Sequence, residues 1–262
     1  MPAPTTFIDT MMAHPWYKWH KNALNVAAVL LSLLSSINYD NARASESMAW
    51  INSIRDVGKF ESIVTPADPT FFLFQIVVMF NVAFGVVQLL PAHNKNEILQ
   101  DGVDYNFFLA VMSQIVASIF FSFDSFMGNV VCTIFVGIMV VLYHKILHNQ
   151  ANLSVEPRRH SPEQYWLLRF PFSLSAGWFL CLLVTCINNL LVKSWFFGHP
   201  LFQLIFAIVC FVFYVGLSVK FLLYNGDRTP NYVIPGIISI FTVSQTISLH
   251  TIPQFLSSMY EE

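Results

Sequence analysis

Charge is what this sequence lacks most. Only 11% of its 262 residues are Asp, Glu, Lys or Arg, while 55% are hydrophobic, and the mean hydropathy is positive. A soluble domain carries about 25% charged residues, so this chain has too few to coat a globule of its size. Lipid must therefore do part of the solvating. The net charge is −2, with no basic block, which argues against nucleic acid as a partner. Cysteine is also scarce. Cys132, Cys181, Cys186 and Cys210 all lie in apolar runs and none forms a C-x-x-C pair. That pattern disfavours zinc sites and disulfide frameworks, and the four are expected to behave as small hydrophobes. G-x-x-x-x-G-K, G-x-S-x-G and H-E-x-x-H patterns are missing too, so nothing points to an enzyme or a resident cofactor.

Long apolar stretches are what the chain does have. Seven qualify as spans: 22–37, 70–90, 107–123, 128–146, 172–192, 201–223 and 233–249. Crossing the hydrocarbon takes about 20 residues, so the first and third are short. Backbone groups in lipid must be satisfied internally, and no segment alternates with the dyad period of a barrel strand. The expected fold is an all-α membrane protein, a polytopic bundle of about seven transmembrane helices. Only the stretch around 124–127 separates the third and fourth spans, which predicts a tight antiparallel hairpin. Pro171 suits the first turn of the fifth helix, where a missing N–H costs nothing. Pro235 and Gly236 fall near the start of the seventh, where a bend is expected. There is no soluble domain, low-complexity tract or internal repeat, and the longest hydrophilic stretches are 39–69 and 147–169.

Basic residues divide unequally between the two faces that seven spans define. Lys18, Lys21, Lys95, Lys145, Arg158, Arg159, Arg169, Lys220 and Arg228 fall on one side, and Arg43, Arg55, Lys59 and Lys193 on the other. The positive-inside tendency then puts the amino terminus on the cytosolic or matrix side and the carboxyl terminus opposite. Trp16, Tyr17 and Trp19, and Tyr165 with Trp166, have the placement of interfacial anchors. Residues 23–34 have the composition of a signal-peptide core with Ala42-Arg43-Ala44 as a cleavage site, but are expected to be retained as the first span. The first twenty residues contain no arginine, so no mitochondrial presequence is visible.

Few polar residues compete for a chemical role. His144 and His148 are spaced i, i+4, with His160 as the only nearby third ligand for a metal; a membrane-interface cluster with Lys145 is the stronger reading, and no metal is expected. Asp124 is read as the only acid close to the hydrocarbon, either a proton relay or, better, a solvated or capping aspartate in the hairpin turn. Lys193 and Lys220 lie at span ends, where they can snorkel, so an ion-coupled transporter is disfavoured. Asn81, Gln88, Gln114, Asn188, Asn189 and Gln245 lie within spans and are expected to make interhelical hydrogen bonds. Trp178 also falls inside a span, as core packing or as a ligand-stacking wall. The sequon at 152–154 lies on the positive face and should stay unmodified.

One stretch carries a resemblance. Arg169-Phe170-Pro171-Phe172-Ser173-Leu174-Ser175-Ala176-Gly177-Trp178 is similar to the fifth helix of the tryptophan-rich sensory protein family (TspO, the translocator-protein superfamily), whose longer members carry a Pro-Phe-Ser…Gly-Trp run. Val64-Thr65-Pro66-Ala67 resembles that family's proline-containing entry to its second helix, and 113–121, ending in Phe120-Phe121, its third-helix run. The resemblance implies a five-helix TspO-like bundle over 22–192, preceded by an interfacial segment at 1–21 and followed at 193–262 by two extra spans and a short tail. It also implies a cavity for a tetrapyrrole (haem or porphyrin) or a sterol. The family's third-helix Trp and Asn positions are Val116 and Ser113 here, its second-helix aromatic pair is replaced at Phe74-Gln75, and the fifth-helix Asn position is Cys186. Trp178 is retained, and Trp178, Gln114 and Asn188 are the residues expected near such a cavity.

Two functions are compatible with this reading. The first is a non-catalytic accessory subunit packed against other subunits of a larger membrane complex of respiratory or ATP-synthase type, in the mitochondrial inner membrane and without a cofactor. The second is a TspO-like binder or carrier of a lipophilic ligand.

Overall fold

The structure is a computed structural model, and it describes residues 15–42, 72–90, 98–121, 125–153, 165–193, 200–223 and 231–249. Asp124, His160, residues 64–67, the end of the sequon and the basic residues Arg43, Arg55, Lys59, Lys95, Arg158, Arg159 and Arg228 lie outside the described residues, as do the side chains of Trp16, Tyr17, Lys18, Trp19 and Lys193. Seven α-helices follow in order: α1 (Pro15–Ala42), α2 (Phe72–Leu89), α3 (Asn106–Phe121), α4 (Phe126–Leu153), α5 (Phe170–Lys193), α6 (Pro200–Leu223) and α7 (Val233–Leu249). Among the described residues there is no strand. Four helical stretches, Ile98–Phe120, Phe126–Leu153, Tyr165–Leu191 and Phe202–Leu223, are long and apolar enough to cross a bilayer, while Leu73–Leu89 and Val233–Thr246 are apolar but shorter.

The third span is longer than its apolar run. A turn of π-helix, Ile98–Val103, precedes α3 and lengthens the candidate span to 23 residues. It also corrects the reading of Asp124 as the only acid near the hydrocarbon, because Asp101 and Asp104 sit at the mouth of this helix. A second π-turn, Tyr165–Arg169, leads into α5, and Pro171 takes the first turn of that helix as its missing N–H favours. α3 and α4 form the expected hairpin, and the Ser125 hydroxyl accepts a hydrogen bond from Gly128 N at 3.0 Å, capping α4.

α4 packs between α3 and α5, α1 on α2 and α3, and α7 on α5. Lipid tails are as apolar as leucine, so close fit rather than burial of oily surface drives such packing. Two glycines provide it. A Cβ at Gly177 would come within 2.8 Å of Ile237, and one at Gly85 within 3.0 Å of Val29. Phe84, Phe107 and Phe172, from α2, α3 and α5, meet edge to face with centroids 4.7 to 5.7 Å apart, each pair contributing roughly 0.5–1.5 kcal/mol beyond its area. α6 is the outlier. It turns Phe202, Ile205, Ile208, Val209 and Val212 outward, and Tyr214 holds it by donating to Cys181 O at 3.5 Å while Gln245 reaches its oxygen.

α7 begins at Asn231, whose Oδ1 accepts from Val233 N at 3.1 Å and Ile234 N at 3.5 Å. Pro235 then falls in the first turn, where backbone donors have no intrahelical partner anyway. Asn231 Nδ2 also donates to Ser173 Oγ at 3.0 Å, fixing the start of α7 to the start of α5.

Candidate functional site: a polar seam along the first two helices

Polar groups in lipid are costly, so the buried ones mark where this bundle does something beyond packing. One group of them, Lys21, Asn22, Asn25 and Gln88, lies on α1 and α2. At its outer end Lys21, with a side chain only 8% exposed, lies 2.8 Å from Asp104 Oδ1 and 3.5 Å from Asp101 Oδ1. Its ammonium also meets Gln100 O at 3.4 Å and lies 5.7 Å from the centroid of the Tyr105 ring. Asp104 occupies the left-handed backbone region at φ 49°, a conformation aspartate tolerates better than most residues. Lys21 therefore does not snorkel to headgroups. It is enclosed by the turn that leads into α3, a contact spanning about eighty residues that no local pattern reveals.

The polar surroundings extend to the end of α4. Gln150 is buried, donates to Leu168 O at 2.8 Å and packs against Gly102, where a Cβ would approach its Cγ to 2.9 Å. One turn deeper than Lys21, Asn25 is 1% exposed, and so is Gln88 on α2. The side-chain oxygen and nitrogen of both residues find no hydrogen-bond partner among the described residues. This corrects the expectation of an interhelical hydrogen bond at Gln88. A buried polar group left unsatisfied costs about 1–3 kcal/mol, so these two carboxamides are retained against a penalty.

Deeper still, α1, α2 and α3 leave a narrow cleft of about 10 Å³, room for roughly one water molecule, lined by Val29, Ser32, Leu33, Val78, Asn81, Val82, Phe107 and Val111. Its lining is apolar except for Ser32 and Asn81. Asn81 makes the interhelical bond expected of it, accepting from Ser175 Oγ on α5 at 3.4 Å. Tyr143 is buried on α4 and stacked on Phe179 at 5.5 Å, with its hydroxyl near the same Asn81–Ser175 pair but not hydrogen-bonded to it. An apolar hollow with a few fixed polar groups is the usual form of a small-molecule site, though drug-sized ligands take about 300–1,000 Å³.

None of the three residues proposed from sequence lines this cleft. Trp178 is 1% exposed between Phe74 at 5.9 Å and Phe241 at 5.2 Å, so both ring neighbours are core phenylalanines. Asn188 is buried on the same helix, ten residues on, about 15 Å along the axis at 1.5 Å per residue. Gln114 is buried on α3, where its backbone carbonyl accepts from Ser118 Oγ at 2.9 Å. His144 packs edge-on to Phe221 at 6.2 Å, and His148 Nε2 lies 3.1 Å from Asn152 Nδ2. Among the described residues no three His, Cys, Asp or Glu side chains gather as a metal site would require. Sequence reading missed Asn25, whose signal was a lone asparagine within the apolar run 23–31.

No curated protein and no solved structure matches the chain. A family model described as TSPO-like protein does, over residues 22–238. The match runs past residue 192, where the resemblance alone placed the end of the five family helices, and takes in α6 and the start of α7. Spanning most of the sequence, it agrees with the all-helical membrane bundle, and the chain belongs to the TSPO-like protein family.

Proposed function

We propose that this integral membrane protein is a non-catalytic binder of a lipophilic molecule, held in the cleft between α1, α2 and α3. The observation that carries the reading is the cleft itself: a largely apolar lining with Asn81 fixed by Ser175. Membership of the TSPO-like family supports a ligand-holding role. The cleft holds about 10 Å³, room for roughly one water molecule, so α1 and α2 must part to admit an acyl chain or the edge of a sterol.

The test is photolabelling of the purified chain in nanodiscs with a diazirine-bearing sterol and a diazirine-bearing acyl amide, mapped by mass spectrometry. Saturable label should concentrate on residues 29–33, 78–82 and 107–111. Val82→Phe, or Val78→Phe should the first variant melt early, fills the cleft and should cut that label at least tenfold. Label confined to the exposed face of α6 and indifferent to both substitutions would defeat the reading.

An accessory-subunit role in a respiratory or ATP-synthase type complex draws on the outward apolar side chains of α6. Lipid covers such a face equally well. Sizing after mild detergent extraction separates the two: co-migration with a large complex favours the subunit, migration alone the binder.

A further inference from the structure

We infer that Cys132 and Cys186 form an oxidisable dithiol inside the membrane, a site where hydrogen peroxide closes a disulfide between α4 and α5. Both residues lie within candidate spans. Three contacts set the register of the two helices. Gln150 donates to Leu168 O, Tyr143 stacks on Phe179, and a Cβ at Gly137 would lie 3.9 Å from the Leu183 side chain. Residue numbers fall along one helix as they rise along the other, so the pair is antiparallel. Cys132 stands five residues back from Gly137 and Cys186 three residues on from Leu183, which brings them to nearly the same level. Their faces agree as well. Cys132 lies eleven residues, about three turns, from Tyr143, and Cys186 lies seven residues, about two turns, from Phe179, so each shares a face with one member of the stacked pair.

The two thiols meet at that level, both buried and both free. Packed helix axes run about 8–10 Å apart and Cα atoms lie about 2.3 Å from each axis. Facing Cα atoms therefore stand roughly 4–6 Å apart, close to the range of about 4.4–6.8 Å that a disulfide spans. Cys181 and Cys210 adjoin Tyr214 instead. A buried thiol is ordinarily inert, because the thiolate is the nucleophile. Here Asn129, three residues before Cys132 and on the same face, is buried, with its Nδ2 donor unpartnered among the described residues. An amide donor beside the sulfur stabilises negative charge as it develops there. Enclosure selects the oxidant, since hydrogen peroxide is small and uncharged whereas glutathione disulfide is bulky and charged. One sulfur attacks the peroxide, the O–O bond breaks, and the departing hydroxide takes the thiol proton as water, leaving a sulfenic acid. The second sulfur then attacks the first, the S–O bond breaks, and water leaves with the second thiol proton. In all, the two thiols lose two electrons to form the S–S bond, and the peroxide is reduced to two waters.

The experiment treats the full chain in nanodiscs with hydrogen peroxide or with glutathione disulfide. The chain is then unfolded, the maleimides it takes up are counted by mass spectrometry, and any link is mapped on its peptides. Untreated protein should take up four, one for each cysteine. Peroxide should bring this to two, with Cys132 joined to Cys186, Cys181 and Cys210 still alkylated, and the melting temperature not lowered. Glutathione disulfide should leave four. Cys132→Ser and Cys186→Ser should each abolish the link, whereas the double variant Cys181→Ser, Cys210→Ser should keep it. Asn129→Leu should slow its formation by roughly fivefold or more, the value of one hydrogen bond, and Asn129→Gln by less. Peroxide that leaves all four alkylatable, or drives Cys132 and Cys186 only to sulfonic acids, would overturn the inference. So would a link through Cys181 or Cys210, a link between two chains, or a link whose closure lowers the melting temperature. A rate unchanged by Asn129→Leu would overturn the part assigned to its amide.

Discussion

Trp178 and Asn81 are both buried in the same bundle, yet their neighbours assign them opposite work. The indole lies between Phe74 and Phe241, so Trp178→Ala should act through packing. Emptying a buried aromatic site costs roughly 3–5 kcal/mol, read as a lowered melting temperature, while photolabelling of the cleft in the surviving folded protein should stay within twofold of wild type. Loss of label at unchanged melting temperature would restore Trp178 as a ligand wall. The presence of Trp178 in a span was legible from composition, but its two partners come from helices α2 and α7, far away in sequence. Lys21 was legible as a basic residue near a membrane surface. Its enclosure was not, because Asp101 and Asp104 reach it only through a π-turn that an apolar-run search leaves outside the span. Gln88 read as an ordinary interhelical amide and Asn25 was not singled out, and neither finds a hydrogen-bond partner among the described residues.

Among the elements, α7 depends on its first turn. Asn231 caps it and ties it to Ser173, one of the residues of the family-like run. Other residues of that run also serve packing: Phe172 joins the α2–α3–α5 aromatic cluster, and Gly177 admits Ile237. The run was therefore readable as a motif, while the surface it packs against was not. Asn231→Ala should destabilise by about 1 kcal/mol, within the 0.5–2 range for a lost N-cap, seen as a lower melting temperature and faster proteolysis after α6. Asn231→Asp keeps the acceptor and loses only the donor to Ser173, so its effect should be smaller. Equal losses in the two variants would mean that the tie to α5, not the cap, holds this element.

Across the whole molecule, long-range contacts sort the helix ends onto two sides without reference to charge. Lys21 at the start of α1 meets Asp104 before α3, Gln150 near the end of α4 meets Leu168 before α5, and Asn231 before α7 meets Ser173 near the start of α5. All these ends share one side, as alternating spans demand. Of the basic residues assigned to that side, Lys145, Arg169 and Lys220 fall there in the structure, near the ends of α4, α5 and α6. Lys21 belongs there too, but its charge is taken up by two aspartates, so the exposed residues carry the positive-inside argument. The expectation is an amino terminus on the cytosolic or matrix side and a carboxyl terminus opposite. Two reporters test this independently of the termini. Trp166 is 52% exposed before α5, and Met127 is 67% exposed at the start of α4. In a background without other reactive thiols, a membrane-impermeant maleimide applied outside sealed membranes should label Met127→Cys and spare Trp166→Cys. A protease should likewise remove a carboxyl-terminal tag and spare an amino-terminal one. The reverse labelling would invert the protein in its membrane and leave the fold intact. Equal access to both tags is the more damaging result, because it requires an even number of crossings, and one of the shorter helices, α1, α2 or α7, would then have to stop short of the far side.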